Sequence, residues 1–211
     1  MAPRILSELL KGLTAALLAG VLSAGVATVA GALVPPEEPE GAAGPAGGAS
    51  RQAPVVEERE GFLVNFVHRY YFPVAAWRMA GPQEADLQQL EHASLPGVLA
   101  KVLVSPGSTV PVEEAISALR EKAAEDGRTH VLQESRVKVG MKEAGDLVVV
   151  REAAGQEPLT IIRTVCFNRG ESKFYVRLEA PASCYEEASR DFDRIISGFK
   201  FEMRLKMPWS K

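Results

Sequence analysis

The hydrophobic positions fall into three regimes along the chain. Gly12 to Val34 is an uncharged run of 23 residues built from Ala, Gly, Leu, Val and a few Ser and Thr. A bilayer core takes about 20 such residues. Pro35 to Pro54 then holds five Pro, four Gly and five Ala among 20 residues. It has no periodicity and too little apolar surface to fold, so it reads as a linker. From Val55 onward the pattern becomes that of a folded domain. Strands are predicted at Phe62–Val67, Leu99–Val104, Val131–Val139, Asp146–Glu152, Thr160–Phe167 and Lys173–Glu179. Asn168-Arg169-Gly170-Glu171 marks a hairpin between the last two, and a turn is predicted near Glu143-Ala144-Gly145.

Two helices interrupt these strands. Val110–Asp126 carries an apolar stripe of Ile116, Leu119 and Ala123, with Pro111 suited to its first turn. The second begins at Ser183, which with Glu186 forms a capping box, and buries Ala188, Phe192, Ile195 and Ile196. Gly198 is expected to end it in the left-handed conformation, and Phe199-Lys200-Phe201 alternates like a short strand. Hairpins punctuated by two helices with apolar faces predict an α+β domain, a central antiparallel sheet flanked by helices. The segments are then 1–34 as export signal or membrane anchor, 35–55 as linker, 56–204 as the domain and 205–211 as a C-terminal tail.

The flanks of the apolar run set its direction. Arg4 and Lys11 precede it, and Glu37, Glu38 and Glu40 follow, so the bulk of the chain is expected on the exported side. Two readings fit the run itself. One is a cleavable signal cut near Ala30-Gly31-Ala32. The other is a retained anchor in which Gly12, Ala16, Gly20 and Ala24 form a ridge of small residues for helix packing. The full chain of 211 residues has a net charge of −3, and its basic residues are scattered rather than striped, so no nucleic-acid footprint is present.

Candidate chemistry is sparse. His68, His92 and His130 are not at metal-ligand spacing with one another or with a cysteine. No phosphate loop, nucleophile elbow or zinc helix motif occurs. Cys166, placed at a hairpin tip, and Cys184, beyond the far end of the return strand, are separated by roughly 20 Å of strand, too far for a disulfide. Tyr70, Tyr71, Phe72 and Trp77 surround Pro73, either as a binding platform or as core at a strand corner, and Trp209 lies in a tail that docks a partner or covers a sheet edge.

Four stretches resemble the PsbP family, the extrinsic lumenal proteins of oxygenic photosynthesis. They are Gly61–Phe66 with Phe72-Pro73 and Trp77; Lys101–Pro106; Val112–Leu119; and Lys173–Val176 through Ala180-Pro181 and Tyr185 to Phe192–Phe199. Tyr185 stands where the closing signature usually carries Trp, and Leu147-Val148-Val149-Val150 fills a strand expected to be rich in Tyr. The resemblance implies the α+β fold above, no catalytic centre, and a lumenal accessory subunit or assembly factor at the thylakoid membrane, with photosystem II as the first candidate partner. Calcium enters by the resemblance alone. A chloroplast import sequence would need more than the 11 residues before the apolar run, which points to truncation, a plastid or bacterial gene, or another import route. The alternative reading is a membrane-anchored domain that holds a small ligand on the exported side, with Tyr70, Tyr71 and Trp77 as candidate contacts.

Overall fold

The structure is a computed structural model, and it describes residues 55–201 except 82, 154, 156 and 157. The apolar run with its ridge of Gly12, Ala16, Gly20 and Ala24, the linker, and Trp209 lie outside the described residues. Eleven strands and two helices follow one another as β1 (Val56–Arg59), β2 (Phe62–Asn65), β3 (Tyr70–Pro73), β4 (Trp77–Met79), β5 (Leu87–His92), β6 (Leu99–Pro106), α1 (Val112–Glu125), β7 (Thr129–Val139), β8 (Lys142–Arg151), β9 (Thr160–Arg169), β10 (Ser172–Pro181), α2 (Tyr185–Gly198) and β11 (Lys200–Phe201). The expected α+β class is present, but with two sheets rather than one. A four-stranded sheet runs β1-β2-β3-β11, and a seven-stranded sheet runs β4-β5-β6-β10-β9-β8-β7. Every pairing is antiparallel.

Residue alternation shows how the large sheet is covered. On one face Ala100, Val102 and Val104 of β6, Phe174, Val176 and Leu178 of β10, and Val165 and Phe167 of β9 are buried. Rings close this face. Phe167 and Phe174 stack with centroids 5.2 Å apart, and Phe199, Phe201 and Tyr70 pack edge-on against that pair. Phe192, Ile195 and Ile196 of α2 are buried as well. The opposite face is only half covered. There Ala115 and Ile116 of α1 pack on Leu147, Val149, Ile162 and Cys166. Consequently β8 and β9 are buried on both faces and read as near-continuous apolar runs, whereas β5, β6 and β10 alternate between buried and partly exposed positions.

Several local expectations change. The first helix starts at Val112 with Pro111 as its N-cap, one position before the helical turn where proline was expected. The second starts after Cys184 without any side-chain cap, so Ser183 and Glu186 do not form a capping box. Entry is made instead by a tight turn in which the Cys184 N–H donates to the Pro181 carbonyl at 3.1 Å. The β7–β8 turn lies at Gly140-Met141, not near Gly145. Strand β2 stops at Asn65, whose Oδ1 accepts the N–H groups of Val67 and His68 and so turns the chain.

Two glycines serve close approach. Gly198 remains inside the helix and is not left-handed; a Cβ there would lie 2.5 Å from Pro73 Cδ. A Cβ on Gly145 would lie 2.6 Å from Ile116 Cγ1 and 3.1 Å from Val112 Cγ1, so this glycine seats α1 on β8. Gly145→Ala is therefore expected to lower stability by about 1–3 kcal/mol through overpacking, as read by urea denaturation.

Candidate functional site

Most of the polar groups buried on the covered face are joined in networks, while the buried Trp77 Nε1 has no hydrogen-bond partner among the described residues. Asn65 Nδ2 donates to the Ala85 carbonyl at 2.7 Å and lies 3.3 Å from the Tyr70 hydroxyl, which in turn donates to Gln88 Oε1. Gln88 Nε2 completes the set by donating to the carbonyls of Glu84 and Ala85. Burial drives the Tyr70 phenol far above its ordinary range, so it stays a neutral donor. A second network centres on Arg163. Its Nε and Nη2 clasp the Asp146 carboxylate at 2.9–3.1 Å, and its Nη1 donates to Asp193 at 2.7 Å and to Ser189 at 3.1 Å. The Phe192 ring lies 5.5 Å from the guanidinium carbon.

The three histidines each pair with one carboxylate. His68 meets Asp86 at 2.6 Å, His92 meets Asp191 at 3.0 Å and His130 meets Glu152 at 3.0 Å. His92 Nδ1 accepts the N–H groups of Ser94 and Leu95, so its proton sits on Nε2 and is donated to Asp191. These bonds fix the β5–β6 loop and α2 relative to each other. Among the described residues no cluster of three or more His, Cys, Asp or Glu side chains could hold a metal ion.

The aromatic cluster proposed as a platform is interior. Tyr70, Tyr71 and Trp77 are 0%, 3% and 4% exposed, so none of them offers a contact surface. Tyr70 stacks on Phe199 at 4.9 Å, Tyr71 meets Phe62 edge-on at 5.8 Å, and Trp77 packs edge-on against His92 at 4.9 Å. The core alternative weighed for this cluster is the one the packing fits.

Both cysteines are free thiols. Cys166 lies opposite Tyr175 in the β9–β10 ladder, under α1. Burial pushes its thiol up to about 11 and outweighs the Lys173 ammonium, which pulls the other way. Lys173 is itself fully buried and donates to the carbonyls of Val110 and Pro111, tying β10 to the start of α1. Cys166 is expected to resist alkylation at pH 8 while the partly exposed Cys184 reacts; mass spectrometry of the labelled native chain checks this. The sign of the accompanying pH effect follows from linkage. The unfolded thiol releases its proton near 9 while the folded one keeps it to about 11. In that window the native state binds more protons, so its stability falls as pH rises.

The open half of the large sheet carries a groove. This groove, of about 600 Å³, runs between α1 and the uncovered strands β5, β6 and β10. The register arranges its floor in rows. Leu87, Leu103 and Tyr175 stand side by side across β5, β6 and β10. The next row along the same face is Gln89, Lys101 and Arg177, about 6.6 Å away. Leu103 and Val110 are each 44% exposed. Helix α1 supplies Ala118, Leu119 and Lys122 as the far wall. A second, more polar hollow of about 460 Å³ lies on the other side of α1, where Arg136 bridges Glu113 and Glu143. Sequence reading picked out none of the groove residues as functional, since the row is assembled by strand register and not by spacing.

Among the described residues no helix is long and apolar enough to cross a membrane. No family model and no curated protein matches the sequence. Solved structures with a similar outline include the Ran-binding protein Mog1p of Saccharomyces cerevisiae, at 9% identity over 66% of this chain and 94% of that one, with a TM-score of 0.49. Another is cyanobacterial PsbP (CyanoP) of Synechocystis sp. PCC 6803, at 10% identity over 75% of this chain and 98% of that one, also with a TM-score of 0.49. A third is LpqN of Mycobacterium tuberculosis, involved in cell envelope biogenesis, at 12% identity over 61% of this chain and 79% of that one, with a TM-score of 0.44. The outline is shared by proteins of unlike roles and by itself selects none of them for this chain.

Proposed function

We propose that this chain is a non-catalytic accessory subunit or assembly factor of a photosynthetic membrane complex, photosystem II first, acting on the lumenal side of the thylakoid membrane. The observation that carries the reading is where the resembling stretches fall. Gly61–Phe66 with Phe72-Pro73 and Trp77 makes β2, β3 and the start of β4; Lys101–Pro106 lies in β6; Val112–Leu119 opens α1; and the closing signature makes β10 and α2. These are the elements that build the core. The reading is further supported by how three buried polar side chains are engaged. Asp146, Asn65 and His92 are each engaged by structural partners, as groups that hold elements together are. An uncharged run at Gly12–Val34 supports an exported location.

Thylakoid fractionation followed by native gels tests the proposal. The chain is expected to co-migrate with a photosynthetic complex and to be released from it by a high-salt wash. Migration only as free protein would overturn it. The second reading, an exported ligand-binding domain, is favoured by one specific observation, the groove between α1 and the open half of the large sheet.

A further inference from the structure

The groove beside α1 has an apolar wall and more hydrogen-bond donors than acceptors. Its apolar part is Leu87, Leu103, Val110 and Leu119. The Tyr175 hydroxyl makes no hydrogen bond among the described residues, nor does Lys122 form an ion pair among them. Arg177 Nε lies 3.0 Å from Glu179 Oε1, at an angle that makes no hydrogen bond. Lys101 reaches the same carboxylate only at 3.8 Å. One carboxylate thus stands against Lys101 and Arg177, while Lys122 faces the groove from α1, two helical turns beyond Glu114. The remaining donor capacity is large for a place so poor in acceptors. An arginine side chain alone carries five N–H donors and no acceptor.

We propose that this groove binds a small amphipathic acid, an alkyl or similarly apolar body ending in a carboxylate or phosphate. The body lies along the row of Leu87, Leu103 and Tyr175 against Leu119, and the acid group meets Arg177, Lys101 and Lys122 one row further along. Three arguments select this class. The volume of about 600 Å³ falls among ordinary small-ligand sites. The apolar row and the cationic row are adjacent on one sheet face, which matches a ligand with one apolar and one anionic end. An acid adds acceptors to guanidinium and ammonium groups that share a single carboxylate, through charge-assisted hydrogen bonds. Burial also raises the Tyr175 phenol, which keeps it a donor beside the acid. The inference is independent of the accessory-subunit reading, since the chain would bind such an acid whether or not it sits on a complex.

Calorimetric titration of the full chain, held in nanodiscs of zwitterionic lipid and corrected against empty discs, tests it with octanoate, octyl phosphate and octanol. Octanoate is expected to bind saturably at one site, and octanol about tenfold or more weaker. Arg177→Gln and Lys122→Gln are each expected to weaken octanoate about 5–10-fold and to leave octanol unchanged. Leu103→Glu, at an exposed position that tolerates substitution, is expected to abolish binding of both acids by repulsion. Tighter binding of octyl phosphate assigns the acid group as a phosphate, and tighter binding of octanoate assigns a carboxylate. Non-saturable octanoate binding, equal affinity for octanol, or octanoate affinity unchanged in the two glutamine variants would overturn the proposal. None of these results bears on co-migration in native gels, so the two readings fail separately.

Discussion

Asp146→Ala is expected to cost about 3–5 kcal/mol of stability, among the largest effects of any single side-chain truncation in the domain. Asp146 is 3% exposed and Arg163 is 9% exposed, so the pair is held away from water between β8, β9 and α2. Removing the carboxylate strands Nε and Nη2, which have no other acceptor among the described residues. Asp193 would remain, but its side chain is 58% exposed and touches only Nη1. A buried guanidinium with three of its five N–H donors unmet is the costly state, more than the loss of the pair itself. The double variant Asp146→Leu/Arg163→Met should recover most of the loss, because it removes both charges and refills the space. Urea unfolding of the two variants checks both statements. A loss below about 1 kcal/mol for the single variant would mean that the pair behaves like an exposed surface bridge.

Strands β8 and β9 were legible because both of their faces are covered. Residues 147–150 are an unbroken apolar run, β9 is apolar at 161–162 and 165–167 on either side of Arg163 and Thr164, and in the structure α1 sits on one side and α2 with the ring cluster on the other. The stripes of α1 and α2 were legible for the same reason, since a single buried face leaves a helical period. Strand β5 was not. Its core-facing positions are Gln88, Leu90 and His92, two of them polar, so the period-two signal vanishes. Those polar residues are tolerated inside because Tyr70, Asp191 and backbone groups bond to them. Strand β1 is largely charged and β4 has three residues, too little pattern for either to be read.

Turn reading failed where glycine had a packing role. Gly145 drew the expected turn toward itself, but it lies within β8 and admits Ile116. The real turn carries Met141 fully exposed, an apolar residue where a polar one was expected. Gly198 failed in a parallel way, being kept for Pro73 rather than for a left-handed cap. The groove was illegible for a deeper reason. Leu103 and Lys101 meet Tyr175 and Arg177 only because β6 pairs β10 across some 70 residues of chain, a register that no local pattern encodes. Yet its existence is consistent with the alternation of β6 and β10, since a strand that alternates has one face that its own domain does not fully cover.

Phe174→Ala is expected to be as damaging as Asp146→Ala, at about 3–5 kcal/mol, but by a different route. Phe174 is 1% exposed and sits where the two sheets meet. From the large sheet it touches Phe167 in a stack, and from the small sheet it meets Tyr70 of β3 and Phe201 of β11 edge-on. Phe199, at the end of α2, closes the same cluster at 6.2 Å. Truncation leaves a cavity that several rings border and that no single neighbour can fill. Chemical denaturation gives the size of the loss, and hydrogen exchange gives its location. Amides of β3 and β11 should lose more protection than those of β8 and β9, because the small sheet depends on this contact while β8 and β9 keep α1 and the Arg163 network. Leu103→Ala provides the contrast. Leu103 lies on the open face of the neighbouring strand β6 at 44% exposure, and its truncation should cost less than about 1 kcal/mol. Near-equal losses for the two variants would mean that the sheet faces are not divided between core and groove as the burial pattern indicates.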